Sequence, residues 1–427
     1  MTATVIPPAP QPVADTPAHR DGNVLRWLGA YTSSMIGDNV YYIALSWAAV
    51  QAGTPSQAGM VMAVSAVPRA LLMLGGGVVA DRFGPRKVVI GSDAVRCAAV
   101  LAAAALLFAA SPGLWLLALL AVVFGIVDAV FMPAVGALPA RVTGRSQLAR
   151  VQGMRGLAIR FANVVGAPLG GLGVALGGAA AAFGLAGMLI AVSVPLLISV
   201  RMKELPAAAA DDDAVGDSRG EVAERTPWRD LRDGLRYIRR HPVLAPLIAA
   251  IALGDLGFVG PLNVGLTLLA DRRGWGASGM GWVLAGFGIG AGTAALLLTV
   301  RGRLPHAGRV AAVAILTGSV AIGALAYVPS VAAAVGVALL VGLLAGLSGA
   351  LCGALLQTQA DPAYLGRVSA VAGLVSLGLA PLSMPLTAAA IGWWGTGPVF
   401  VTSAAVCGLG GVLVLCFRDL RRAELPR

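Results

Sequence analysis

Apolar runs of about twenty residues recur along the whole of this 427-residue chain, joined mostly by short connections. Twelve are read, over 26–51, 57–80, 88–110, 114–137, 155–177, 179–200, 243–269, 278–300, 309–328, 331–357, 368–391 and 397–417. At about 1.5 Å per residue, each spans the ~30 Å of a bilayer's hydrocarbon as a helix. The runs are continuous and do not alternate with polar residues, which excludes the strands of a membrane barrel. Only 12% of residues are charged and 58% are hydrophobic, against about 25% charged in an average soluble domain. The sequence therefore predicts an all-α polytopic membrane protein with twelve transmembrane helices in two six-helix bundles.

Charge fixes an expected orientation. The net charge is +11, which by itself would suit a nucleic-acid partner. The bases, however, gather in alternate connections. With the N-terminus in the cytoplasm, only Arg272 and Arg273 fall on the outer side, while Arg69, Arg96 and Arg160 lie inside runs. That is the positive-inside pattern, and it places both termini in the cytoplasm. The expected organisation is a disordered Pro-rich tail (1–25) with no leader-peptide pattern, a first bundle (26–200), a cytoplasmic linker (201–242), a second bundle (243–417) and a short cytoplasmic tail (418–427). Within the linker, Trp228, Leu231, Leu235 and Ile238 fall on one helical face among arginines. Such a helix lies on the inner leaflet or packs on the protein.

The four cysteines, Cys97, Cys352, Cys407 and Cys416, sit in apolar runs without metal or redox spacing, as buried small residues do. His19, His241 and His306 lie outside the runs, so no histidine relay crosses the membrane. Neither a P-loop nor a G-x-S-x-G motif is present. ATP-driven transport by this chain alone and catalysis are both disfavoured, and no cofactor or metal is expected. A membrane enzyme would gather acids or histidines at one membrane face, and a sensor would carry a sizeable soluble domain. Neither feature is present.

The stretch GGGVVADRFGPRK, residues 75–87, joins the second and third runs on the cytoplasmic side. Gly75, Gly76 and Gly77 allow close helix approach, and Gly84 permits a backbone conformation closed to other residues. Arg82, Arg86 and Lys87 meet lipid headgroups, while Asp81 is an acid suited to capping another helix's N-terminus. The pattern Gly77, Asp81, Arg82, Gly84, Arg86, Lys87 resembles the signature loop of the major facilitator superfamily. That resemblance implies a 6 + 6 arrangement, a default monomer, and an Asp81 that holds the two halves together near Arg367–Ala370 when the cavity opens outward. The equivalent loop of the second half, RGRLPHAGR, lacks the Asp-Arg pair. Stretches including GDNVYYIALSW, SAVPRALLMLGGGVVADR, SDAVRC, VFMPAVGALPARV, GPLNV and GRVSAV are similar to a branch of macrolide-efflux and enterobactin-exporter-like proteins. Its members are drug or siderophore exporters, generally driven by protons. Gly156, Gly166, Pro168, Gly170 and Gly171 resemble the family's exporter-associated helix motif, with Ala167 interrupting the usual Gly-Pro pair. Helix packing alone accounts for these glycines equally well.

Ionisable groups inside a membrane are costly and point to function. Asp38 and Arg69 lie at one depth. Asp93 and Arg96 share a helix face and read as a structural pair bracing the charged loop, and Asp128 is placed to pair with Arg160. Asp255 has no evident basic partner. Asp38 and Asp255 are the proton-coupling candidates, since an isolated carboxylate in an apolar setting takes up a proton more readily. Asp255 reads equally as a group bonding within a broken helix near Gly257–Pro261. The resemblance implies a cavity lined from the first, fourth, seventh and tenth runs, which here nominates Tyr41, Tyr42, Asn263 and Gln357 beside the acids. The expected function is a secondary transporter in a bacterial cytoplasmic membrane that exports an amphiphilic small molecule in exchange for protons. Its partners are that substrate, protons and the bilayer, without nucleic acid. An importer or symporter of a small metabolite is the alternative.

Overall fold

The computed structural model describes residues 17–110, 113–144, 147–202, 235–301, 306–361 and 364–424. Their regular structure is helical throughout. α1 (Gly22–Ala52) starts where the Asp21 carboxylate accepts the Asn23 N–H. α2 (Pro55–Val64) starts with a capping box, in which the Thr54 and Gln57 side chains each accept the other's backbone N–H. α3 (Ala66–Phe83) follows a break at Ser65, so the second pass is two helices where the sequence reads one run. The Ser65 hydroxyl donates back to the Met62 carbonyl at 3.0 Å, and Pro68 has no N–H to offer Val64. Gly84 then turns the chain with φ +83°, and Pro85 opens α4 (Pro85–Ala109).

α5 (Leu114–Val142) precedes α6 (Leu148–Ser199), whose 52 residues are two antiparallel passes. The reversal is at Gly177 and Gly178, the latter with φ 70°. A Cβ on Gly173 would stand 3.1 Å from the Ala182 Cα, which a continuous helix forbids. After a helical turn over 235–240 (α7), the second half comprises α8 (Leu244–Gly260), α9 (Leu266–Arg272), α10 (Gly276–Arg301), α11 (Ala307–Leu325), α12 (Val331–Gln359), α13 (Leu365–Trp394), α14 (Thr396–Cys416) and the short α15 (Arg418–Arg422). One π turn, Pro261–Gly265, joins α8 to α9, with the Leu266 N–H bonded to the Pro261 carbonyl.

Among the described helices, eight are long and apolar enough to cross a membrane, α8–α9 counting as one of them and α6 crossing twice. The remaining passes are α1, α2 with α3, and α13. α1 is less apolar because it carries Ser34, Asp38 and Asn39 into the protein. Many large apolar side chains face outward, Phe108 and Leu176 among them, as lipid-facing residues do. Trp115, Tyr327, Trp393 and Trp394 are exposed near helix ends on one side, as interfacial aromatics are.

In the first half α6 packs on α1 and α4, and α5 on α3 and α4. In the second, α12 packs on α10 and α11, and α14 on α8 and α11. The halves meet where α6 crosses α10 and α2 crosses α13. One buried apolar cluster runs through both halves at the end bearing Gln51 and Asp271. Toward the opposite end each half has a buried cluster of its own, one around Trp27 and Phe131, the other around Leu244 and Leu355. The protein is thus joined at one end and divided in core at the other.

Most of the amphipathic linker helix read from the sequence lies outside the described residues. Its last turn packs on the second half: Ile238 is buried there, and Tyr237 stacks on Tyr364 with ring centroids 4.4 Å apart. His241 Nδ1 accepts the Val243 and Leu244 N–H groups at 3.2 Å, capping α8. Burial holds this imidazole below its usual pKa, which keeps it a neutral acceptor.

The seam between halves depends on small residues. A Cβ on Gly281 of α10 would sit 2.7 Å from the Ala167 carbonyl oxygen of α6. Gly281→Leu is expected to force α10 off α6 and lower stability by about 1–3 kcal/mol, read as an earlier unfolding midpoint of the purified protein in detergent.

Candidate functional site

The first half is built around buried charge. Arg96 of α4 is completely buried. Its guanidinium donates to Asp38 of α1 at 2.8 Å, to Asp128 of α5 at 3.4 Å and to Asp93 one turn before it. It also donates to Ser34 at 3.2 Å and lies 3.9 Å from the centroid of the Phe131 ring. Asp93 accepts further hydroxyl bonds from Ser34 and Ser193. Arg69 approaches Asp128 at 4.0 Å. Asp38 Oδ1 and Arg96 Nε are buried without a hydrogen-bond partner among the described residues.

This arrangement corrects two sequence expectations, the isolation of Asp38 and the pairing of Asp128 with Arg160, and bears out the pairing of Asp93 with Arg96. Asp38 bonds Arg96, because α4 brings its arginine to α1. Asp93 and Arg96 do pair, yet they belong to a junction of four helices rather than a local brace. Asp128 pairs with Arg96 and Arg69, while Arg160 is exposed and makes no ion pair among the described residues. Adjacent passes in sequence do not present these two side chains to each other.

Beside this cluster, between the halves, lies a cavity of about 240 Å³. Its polar lining is Asn39, Tyr42, Ser46, Asn163, Asn263 and Thr267, set among apolar side chains such as Met280 and Phe287. Asn39 donates to Asn163 at 3.2 Å, joining α1 to α6. Asn263 donates to the Val259 carbonyl at 2.8 Å. Tyr42 connects the two regions: its ring lines the cavity and its hydroxyl donates to Asp128 at 3.2 Å. At the joined end, Ser46 and Thr267 share a hydrogen bond of 2.5 Å across the halves, and Gln51 donates to Asp271 at 2.6 Å. Mixed polar and apolar walls of this kind suit an amphiphilic ligand.

Of the four further residues nominated as cavity lining, Tyr42 and Asn263 face this cavity. Tyr41 does not: it is fully buried, with its ring stacked on Phe124 at 3.6 Å. Gln357 is exposed near the end of α12, away from the cavity lining. Asp255 of α8 accepts a hydrogen bond from Ser376 of α13 at 2.5 Å and lines a separate cavity inside the second half. Asn39, Asn163, Ser46 and Thr267 went unnoticed in the sequence, where uncharged polar residues in apolar runs give little signal.

Gly77 falls within α3, while the Asp81 side chain lies outside the described residues, and so does its expected contact with α13. Arg82 and Lys87 are exposed, and Arg86 donates to the Ile198 carbonyl at 2.5 Å. In the exporter-like motif, Gly166 and Gly170 bring α6 against Asn39 and Ile43 of α1. Gly171 brings it against Ala277 at the start of α10, in the other half. Pro168 lies inside α6 between them, and Gly156 is exposed. Among the described residues no group of three or more His, Cys, Asp or Glu is placed to hold a metal ion.

Removing Arg96 leaves three carboxylates without their shared partner. Arg96→Met is expected to destabilise the fold by about 3–5 kcal/mol, seen as a lowered unfolding midpoint in detergent. Adding Asp38→Asn and Asp93→Asn should recover part of that loss, while an unchanged midpoint in Arg96→Met would contradict the central role given to this side chain.

A family model described as Major Facilitator Superfamily matches residues 27–380. The enterobactin exporter EntS of Shigella boydii serotype 18 is 26% identical over 357 residues, covering 81% of this chain and 80% of that protein. The enterobactin exporter EntS of Escherichia coli O139:H28 shows the same identity and coverage. Among solved structures, a bacterial homolog of the human lysosomal transporter Spinster, in an inward-facing and unoccupied conformation, superposes with a TM-score of 0.64 at 14% identity. The match covers 95% of this chain and 96% of that one. The nucleoside transporter NupG superposes with a TM-score of 0.64 at 14% identity, covering 94% and 100%. Helix order, the seam between halves and the family match agree: the chain belongs to the major facilitator superfamily and is a multi-pass secondary transporter, not an enzyme.

Proposed function

We propose that this transporter exports an amphiphilic small molecule, such as a drug, natural product or siderophore, across a bacterial cytoplasmic membrane in exchange for protons. One observation carries the reading. A buried cluster with an odd charge stands one tyrosine away from a cavity between the halves. Asp38, Asp93 and Asp128 face two guanidiniums, Arg96 and Arg69, and a proton supplies the missing positive charge. Asp38, with one oxygen unpartnered, is the natural carrier in the first half. Asp255, hydrogen-bonded to Ser376 with no ion pair among the described residues, is the candidate in the second.

In the mechanism proposed, protonation at Asp38 loosens its bond to Arg96 and lets α1 move against α4. Tyr42 relays that change to the cavity through Asp128. The positive-inside pattern puts the divided end of the protein in the cytoplasm. The conformation is then one that loads substrate from inside, with Ser46–Thr267 and Gln51–Asp271 closing the outer end. Export also agrees with the relatives named enterobactin exporter. The chain is taken to act as a monomer with both termini in the cytoplasm, driven by the proton gradient and without a cofactor.

The test uses inside-out vesicles with an imposed pH gradient and labelled macrolides, siderophores and lipophilic cations. The expected result is gradient-dependent accumulation of one compound, lost in Asp38→Asn or Asp255→Asn while the folded protein is retained. Gradient-driven movement in the opposite direction would replace export with uptake. Full coupling in both variants would remove these two carboxylates as proton carriers.

A further inference from the structure

The two halves repeat one plan, but their interiors are filled differently. Arg96 and Gly318 lie equally far into α4 and α11, the third pass of each half. Asp93 and Ile315 correspond in the same way, and so do Asp128 in α5 and Ala345 in α12. The first pass of each half carries an acid, Asp38 in α1 and Asp255 in α8. At the level where the first half is packed with guanidinium and carboxylates, the second half has small or apolar residues and a cavity of about 170 Å³. Asp255, Ile315, Gly318 and Ala345 all line it, and so does Phe258. The second half therefore keeps a carboxylate and lacks the arginine that answers it in the first.

We infer that this cavity is a binding site for the head of an organic cation, a tertiary or quaternary alkylammonium, which takes the place that Arg96 occupies in the first half. The chemistry of the walls selects this class. A hard metal cation needs about six or more oxygen ligands, whereas the polar side chains lining the cavity are one carboxylate, Asp255, with Ser348 and the thiols of Cys352 and Cys407. An alkylguanidinium brings five N–H donors, and these apolar walls would leave most unsatisfied. A substituted ammonium asks for one negative charge and apolar contact around its alkyl groups. Asp255 supplies the charge, and Phe258 adds an aromatic ring of the kind that attracts such cations. Ser376 holds the carboxylate from the side of α13 at 2.5 Å. The site lies inside the second half, separate from the cavity between halves, and rests on no assumption about transport direction.

The experiment is isothermal titration calorimetry on the full-length protein in detergent, with tetraethylammonium as the probe. Triethylcarbinol, neutral and of similar shape, is the comparison. Saturable binding of tetraethylammonium is expected, at least tenfold tighter than triethylcarbinol. Asp255→Asn should weaken it by tenfold or more. Gly318→Lys provides a second variant if Asp255→Asn fails to fold. A Cβ at Gly318, which lines the cavity, meets only the Leu344 Cβ, at 3.4 Å, so the position accepts the start of a side chain. Its tethered ammonium should abolish tetraethylammonium binding and leave the unfolding midpoint equal or higher. Wild-type affinity in either variant, equal affinity for the neutral alcohol, or no binding would overturn the proposal. Binding is measured without a membrane gradient, so these outcomes are independent of whether the vesicle experiment finds export.

Discussion

A completely buried arginine holds the first half of this protein together. Three helices bring a carboxylate or hydroxyl to Arg96: α1 brings Ser34 and Asp38, α5 brings Asp128, and its own helix brings Asp93, which in turn accepts Ser193 of α6. In hydrocarbon there is no hydrophobic drive to press helices together, so packing and polar contacts decide which ones associate. A guanidinium with several donors in one plane joins more helices at once than a lysine would. Burying such a junction is expensive unless its lone pairs and protons are mostly used. The two left over, on Asp38 and on Arg96 itself, are where the arrangement has room to change.

The second half is held by different means. Its cross-helix contacts include close approaches of small residues, such as Gly257 of α8 near Cys407 of α14, with hydrogen bonds between α8 and Ser376 and Ser383 of α13. The first half adds a buried charge junction to close packing over glycines, whereas the second combines such packing with serine hydrogen bonds. Among the described residues, the shared apolar core lies at one end, where the halves meet over glycines and short side chains. Such a seam has few long side chains to disentangle when two bodies rock against each other, which fits the alternating access of this superfamily.

Much of the fold was legible in the sequence because the bilayer imposes a length and a polarity on every pass. The apolar runs fall on helices of the structure, and the glycine of the charged loop takes the positive φ its position called for. The broken second pass was not legible, because Ser65 and Pro68 interrupt an otherwise unbroken apolar run. The identity of the charged residues within the passes was visible, but their partnerships were not. Spacing along one helix revealed Asp93 with Arg96, whereas the bonds from Arg96 to Asp38 and Asp128 depend on how three helices turn about their axes. The cavity's amides and hydroxyls escaped for a related reason: Asn39 and Asn163 acquire meaning only when α1 and α6 lie side by side.

The π turn at Pro261–Gly265 gives one helix two allegiances. An added residue in a helical turn rotates everything beyond it by about 100°. Before the turn, Asp255 and Gly260 face α13, and the helix belongs to the interior of its own half. Beyond it, Thr267 and Asp271 reach Ser46 and Gln51 of the opposite half. A straight helix with the same sequence would present those side chains about a quarter-turn away, and the joined end would lose both cross-half hydrogen bonds. The turn is also a place of weak helical bonding, where Pro261 has no N–H to give. The π turn thus divides the seventh pass into two rods with a short coupling between them, one rod packed in its own half and the other tied to the joined end.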